Sequence, residues 1–335
     1  MRLTTLVVCV FALFDRPRGC SAVNICCARL AASRGFTVGL FVDGTPATGG
    51  HATLKGDYVV HTFTSSGVFE VLDDSSLTEL EVLVVAGGGG GGTSLGSGGG
   101  GGGVLHSQSL TVQAQAYAVT VGLGGDNATI TGLASHGGDS SFGSLLVAKG
   151  GAGGKGQSFA VLNNGYNYPA GGSGAGGCRH SAPGTAGTPG QGYDGGAGSD
   201  SGRFGAGGGG GGGGPGGDTN ATHGGDGGVG KAFDISGTMT YYAGGGGGGI
   251  DIYGATVDVY NGGTGGTGGG GDAAPTFYAD GFPGAPNTGG GGGGGASAAK
   301  EDGTSPTSGS YFGGSGGSGI VIVRYHAGCQ SDCAP

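Results

Sequence analysis

Tryptophan is absent from this chain of 335 residues, methionine occurs twice, and Asp, Glu, Lys and Arg together make up 10%. Thirteen basic against 22 acidic side chains leave a net charge of −9. The shortage of positive charge argues against nucleic acid as a partner, since nucleic-acid binding wants a basic patch. The charge density is also too low for an acidic disordered tail. No apolar run approaches the ~20 residues of a membrane-spanning helix, so no direct membrane insertion is expected. What fills the space is glycine: 96 residues, against a usual share of about 7%. Interior glycine costs ~1 kcal/mol relative to Ala in a helix, which excludes a helical protein. An ordinary Leu/Ile/Val core over the whole length is not expected either. Collagen is excluded because the glycines come in blocks without a strict Gly-X-Y period.

The glycines are concentrated: 87 of them fall between Gly87 and Gly319. Composition divides the chain accordingly. Residues 1–22 read as a secretory signal, with Arg2, the apolar run Leu6–Phe14 and the small residues Gly19-Cys20-Ser21-Ala22. The alternative is a stray apolar N-terminus. Residues 23–44 are an irregular Cys/Arg segment, 45–326 a glycine-rich domain and 327–335 a Cys-containing tail. Within the domain, 45–86 and 320–326 read as β-strands framing the glycine blocks of 87–319. Tyr58–Phe63, Val68–Leu72, Glu79–Ala86, Tyr117–Val121, Ser144–Ala148, Met239–Ala243 and Ile320–Tyr325 carry the β-formers. Glu79–Ala86 alternates at first and then turns continuously apolar, as a strand buried on both faces does.

The glycine blocks are 87–92, 98–103, 150–156, 171–177, 184–198, 205–217, 224–230, 244–249, 262–271, 289–295 and 313–319. A flexible linker would not need so many blocks framed by strands. Polyproline II is the better reading. It has three residues per turn and satisfies none of its own backbone groups. Glycine helices lying side by side can supply those bonds to one another, because nothing keeps their backbones apart. The expected fold is therefore mainly β and irregular, with sandwich-like antiparallel strands framing a bundle of polyproline II helices.

Chemistry-bearing motifs are few. GxGxxG recurs by composition alone. Gly225–Lys231 approaches a phosphate-binding loop, but Ala232 stands where Ser or Thr should hold Mg²⁺. Gly195–Asp200 matches the start of one calcium-binding nonapeptide, whereas a β-roll needs a tandem array. The seven histidines are scattered and read as solvent-facing. No catalytic residue, cofactor site or metal site is expected, and the chain reads as non-enzymatic. Seven cysteines include no CxxC, and Cys329 and Cys333 are close enough to pair with each other or with Cys26/Cys27. Asn127 and Asn220 head glycosylation triplets. The inserts between blocks carry the candidate recognition residues: Asn163, Asn164, Tyr166, Asn167 and Tyr168; Asp251, Tyr253, Asp258, Tyr260 and Asn261; and Phe277, Tyr278 and Phe282. Tyr beside Asp and Asn suits a binding loop. An ordinary solubilising insert is the competing reading.

Several runs together carry a resemblance. They are Val60–Phe69, Leu83–Gly90, Tyr117–Gly122, Ser140–Gly143, Tyr242–Gly246 and the closing Gly313–Tyr325. In this order they resemble a glycine-rich domain of tail-fibre and other virus-encoded or virus-like surface proteins, over about residues 48–326. The resemblance implies polyproline II glycine bundles with β-structure at the ends, and variable loops that bind a host receptor. A looser similarity, in the strand leading into Ala86-Gly87-Gly88-Gly89 and the closing strand before Cys329 and Cys333, links the chain to the glycine-rich ectodomain of the anaplastic lymphoma kinase receptor family. The expected partners are a cell-surface receptor or glycan, or other structural subunits including further copies, at an extracellular or virion surface. A purely structural matrix or virion component is the first alternative. An ice-binding protein is the second, since polyproline II bundles also occur among antifreeze proteins.

Overall fold

The computed structural model describes residues 46–72, 77–128, 133–156, 170–178, 182–199, 205–220, 222–250, 261–275, 279–296 and 311–327. It also describes the backbone of three short strands, β1 (Val7–Cys9), β2 (Cys27–Arg29) and β3 (Phe41–Val42), which pair antiparallel in that order. The described residues contain strands and extended rods and no helix. The protein is mainly β, as the composition requires.

Two five-stranded antiparallel sheets face each other. The first contains β4 (Ala47–Thr48), β7 (Gly67–Val71), β10 (Ala116–Thr120), β11 (Ser140–Phe142) and β12 (Leu146–Ala148), in the order β12-β11-β10-β7-β4. The second contains β5 (His51–Lys55), β6 (Tyr58–Phe63), β8 (Glu79–Val85), β9 (Val104–Thr111) and β15 (Ile320–His326), in the order β5-β6-β15-β8-β9. Phe69, Tyr117, Val119 and Phe142 of the first pack on Phe63, Val82, Val84, Val321 and Val323 of the second. The outer face of the second sheet is buried as well. The hairpin of β13 (Lys231–Phe233) and β14 (Thr240–Tyr242) lays Phe233, Ile235 and Tyr242 over Leu83, Val85, Ile320 and Ile322. Strands β8 and β15 thus have apolar partners on both sides, which is why their sequences read as unbroken apolar runs.

One expectation is corrected in this core. His61 does not face solvent; it is 1% exposed, with its ring edge-on to Phe69 and stacked on Tyr325. Its Nδ1 lies 2.7 Å from the Gly49 carbonyl, so that nitrogen carries the proton and donates. Nε2 is then the acceptor for the Tyr325 hydroxyl at 3.2 Å. Period 2 along β6 explains the burial: His61 falls on the same face as Val59 and Phe63. Burial holds the His61 pKa below the ordinary histidine value, partly offset by the Gly49 bond, and burial lowers His136 too. The unfolded chain therefore takes up these protons first as the pH falls. Stability is expected to be level above about pH 6.5 and to decline below it, toward the folded-state values. Denaturant titrations across pH 5–8 on the protein and on His61→Gln would measure this, with a shallower acid decline in the variant.

The glycine-rich remainder is a lattice of straight rods bonded backbone to backbone. The rod 86–92 shows the rule. Its amides 87 and 90 donate to Gly138 and Ser135, 88 and 91 to Gly317 and Gly314, and 89 and 92 to Gly100 and Ser97. Its carbonyls accept in the same rhythm, 88 and 91 from Gly125 and Ala128, 87 and 90 from Gly151 and Gly154, 89 and 92 from Gly292 and Gly295. Donors and acceptors thus point in three directions with a repeat of three residues, the repeat of polyproline II, and six rods surround the central one. Rods 97–103, 205–213, 243–250 and 289–296 are enclosed in the same way. Rods 150–156 and 171–178 are buried throughout as well, and the others form a perimeter where side chains turn outward at about every third residue. Exposed positions recur at Pro183, Ala186 and Pro189, at His223, Asp226 and Val229, and at Thr264 and Thr267.

Perimeter rods lack a neighbour on their outer side, and aspartates supply acceptors there. Asp139 takes the amide of Gly150 (2.9 Å), Asp194 that of Gly187 (2.9 Å) and Asp218 that of Ala197 (2.7 Å). Asp226, Asp272 and Asp280 do the same for Thr264, Gly265 and Phe312. The acidic excess of the composition thus has a structural use: carboxylates cap amides that the lattice leaves over.

Candidate functional site

The rods have two ends. Rods starting at Ala86, Gly122, Ala243 and Gly289 leave from the sandwich, and the paired amides and carbonyls fix the direction of all the others. The residues bounding almost every insert lie at the end remote from the sandwich. Ile250 and Asn261 flank 251–260, and Ala296 and Tyr311 flank 297–310. Pro275 and Ala279 flank 276–278, Cys178 and Ala182 flank 179–181, and Ala128 and Leu133 flank 129–132. Bridges Leu133–Lys155, Ser199–Gly205 and Gly205–Ile250 tie these exits together. The insert 157–169 starts at the same far end after Gly156, and its other boundary, Ala170, lies at the sandwich end.

The far end has a built floor. Leu95, Ala128, Cys178, Ile250, Ala274 and Ala296 are all buried there. Ser94 and Leu95 adopt left-handed φ values of 44° and 59° in the turn between rods 86–92 and 97–103. Lys155 is 1% exposed at this end, and burial lowers its pKa, partly offset by Cys178. Cys178 forms no disulfide.

Of the candidate recognition residues, Asn163, Asn164, Tyr166, Asn167, Tyr168, Asp251, Tyr253, Asp258, Tyr260, Phe277 and Tyr278 lie outside the described residues, as do Cys329 and Cys333. Two are described. Asn261 is half-buried and its carbonyl accepts from Gly224. Phe282 belongs to the lattice rather than to a loop: its amide donates to Asp272 and its carbonyl accepts from Gly293, while its ring is exposed. Asn127 is half-buried, and Asn220 is exposed. The Asn220 carboxamide oxygen accepts from the amides of Thr222 and His223, closing the turn at the far end.

The loop resembling a phosphate site is a rod. The amides of Gly225, Gly227, Gly228 and Gly230 donate to Ala206, Thr264, Gly209 and Thr267, so they diverge to neighbouring rods instead of converging on an anion. Among the described residues, no group of three or more His, Cys, Asp and Glu side chains could hold a metal ion. No helix there is long and apolar enough to cross a membrane.

Two features have little signal in the sequence. The first is a charge cluster on the outer face of the second sheet. Glu81 and Arg324 are directly opposite on β8 and β15, with Arg324 Nε donating to Oε2 at 2.7 Å. Glu81 Oε1 takes His106 Nε2 at 2.9 Å, and Arg324 continues to the Asp234 carbonyl and lies 4.8 Å over the Tyr58 ring. The second is a cleft of about 450 Å³ where the bundle meets the sandwich. Val104, Pro189, Gln191, Tyr193 and Lys231 line its sides, and Gly212 and Gly213 contribute backbone. The run Thr188-Pro189-Gly190-Gln191 is its sequence signal, a Pro-Gly turn followed after Gly192 by Tyr193.

Two antiparallel sheets joined to a glycine lattice, with no helix among the described residues, define a β-protein whose larger part is built on backbone. The chain belongs to the glycine-rich domain family, whose model matches residues 64–326. No curated protein matches the chain.

Proposed function

We propose that this is a non-enzymatic surface-binding or fibre-type protein, whose polyproline II bundle presents variable inserts for attachment to a receptor or glycan outside the cell or on a virion. The observation that carries the reading is the shared exit of the inserts. Apart from Ala170, which ends 157–169 at the sandwich side, their described boundaries meet at the end of the bundle remote from the sandwich, tied by the bridges at Lys155, Gly205 and Ile250. A rigid lattice from whose far end the Tyr- and Asn-bearing segments depart suits recognition, because binding residues are commonly held on loops by a stiff scaffold. The amides of the enclosed rods are consumed by the lattice, so no chemistry is expected on those rods. The resemblance to tail-fibre glycine-rich domains supports the same reading, and so does the looser one to the receptor ectodomain.

The test exchanges 163–168 and 251–260 for Gly/Ser segments of equal length. Attachment to host cells or to an immobilised glycan array is expected to fall to background, with the thermal unfolding transition unmoved. Attachment that survives both exchanges would overturn the reading and favour a purely structural component.

A further inference from the structure

We propose that the cleft between the bundle and the sandwich binds a carboxylated sugar, of the hexuronic or sialic acid class. The proposal goes beyond attachment through the inserts, because this cleft lies at the opposite end of the rods.

Three observations converge on the ligand. The first is an aromatic wall held in place. Tyr193 is 49% exposed, yet its amide donates to Gly211 and its carbonyl accepts from Gly174. The residues before it form a turn in which Gln191 donates to Thr188 across Pro189 and Gly190, with Gly190 at φ 79°. The backbone carrying the ring is thus fixed before any ligand arrives. One face of a pyranose ring presents a patch of C–H groups, which an aromatic face attracts through its quadrupole.

The second observation is charge. Lys231 is exposed at the mouth, and no carboxylate among the described residues pairs with it. Its ammonium lies 5.7 Å from the centre of the Phe233 ring. By contrast, Lys149 is bound to Asp139 and Arg324 to Glu81. A carboxylate on the ligand would complete this cation, and charge-assisted bonds are about twice as strong as neutral ones.

The third is shape. The cleft volume falls within the range of small-ligand sites. Gly190, Gly192, Gly212 and Gly213 leave the lining without side chains there, so a flat ring can approach the backbone closely. An acidic peptide would satisfy Lys231 but would leave the flat Tyr193 face and the glycine floor without a matching surface.

The experiment uses the full chain and titrates sodium glucuronate, N-acetylneuraminate, glucose and a Glu-containing tripeptide, followed by ligand-observed NMR. Either acidic sugar is expected to bind about tenfold more tightly than glucose. Tyr193→Ala should remove binding of acid and neutral sugar alike, and Lys231→Gln should remove only the preference for the acid. Both side chains are exposed, so thermal unfolding should stay in place and report that the variants fold. The proposal is overturned if neither acidic sugar binds, if Tyr193→Ala binds as the parent does, or if the tripeptide binds more tightly than the sugars. Cell attachment measured on Tyr193→Ala separates the two readings: attachment kept with sugar binding lost leaves the inserts as the receptor site. Sugar binding kept after exchange of the inserts marks the cleft as independent.

Discussion

Gly89→Ala should abolish the cooperative unfolding of the bundle or lower its stability by more than about 3 kcal/mol. A methyl group at this position would enter the van der Waals shell of the Ala152 carbonyl, whose rod lies alongside. Backbone cannot swing away as a long side chain can, so the rods must separate. Separation at this point breaks bonds in three directions, since residues 87–92 donate to rods on three sides. Gly246→Ala should act in the same way against the carbonyl of Gly292. Val229→Ala is the control, because its side chain is half exposed on a perimeter rod, and a change within about 0.5 kcal/mol is expected. Chemical denaturation of the three variants would measure the contrast. An inner-rod alanine as stable as the parent would show that the lattice is not close-packed.

Glu81→Ala should be the most damaging single change outside the glycines and the apolar core, at about 2 kcal/mol. Glu81 is 16% exposed at the side chain and is shared by Arg324 and His106. Its removal leaves a partly buried guanidinium that retains only the Asp234 carbonyl, a distant Asp234 carboxylate and the Tyr58 ring. Removing one partner of such a pair costs more than the pair itself contributes, because the remaining charge stays desolvated. The effect should reach the β13–β14 hairpin, since Phe233 packs on His106 and Asp234 is held by Arg324. Hydrogen exchange at Lys231–Tyr242 would report that loosening, and Glu81→Gln should lie between the two.

Much of the fold was legible because the strands follow ordinary rules. Tyr58–Phe63 is β6 residue for residue, and the apolar closing run is β15. Strand β9 was missed because Val104–Thr111 is an edge strand carrying His, Ser and Gln, with little apolar alternation to mark it. The glycine blocks were read as one kind of object, and they are two. Uninterrupted runs such as 87–92, 98–103 and 244–249 are the enclosed rods, where all three directions meet backbone. Runs broken at every third position, such as Gly224–Gly230 and Gly262–Gly271, are perimeter rods, where the third direction faces water. Block lengths look irregular only until side chains are counted by threes. The candidate site was legible in part. Composition singled out the inserts, but only hydrogen-bond pairing between distant rods gives their common exit. Tyr193 and Lys231 are 38 positions apart, and no local pattern joins them. His61 was misread because a histidine in a β-rich run gives no sign of which face is inner until its partners are known.

A core held by peptide groups also changes how the molecule answers temperature. Exposing apolar area on unfolding raises the heat capacity, and exposing polar area lowers it. Opening the rods 86–92, 97–103 and 243–250 would hydrate mainly amides and carbonyls, so much of the usual increment cancels. The bundle's stability curve is therefore expected to be shallow, without the steep weakening that oil-like cores suffer in the cold. The bundle would keep its stiffness over a wide range of temperature, while the sandwich that closes its end would still weaken on cooling.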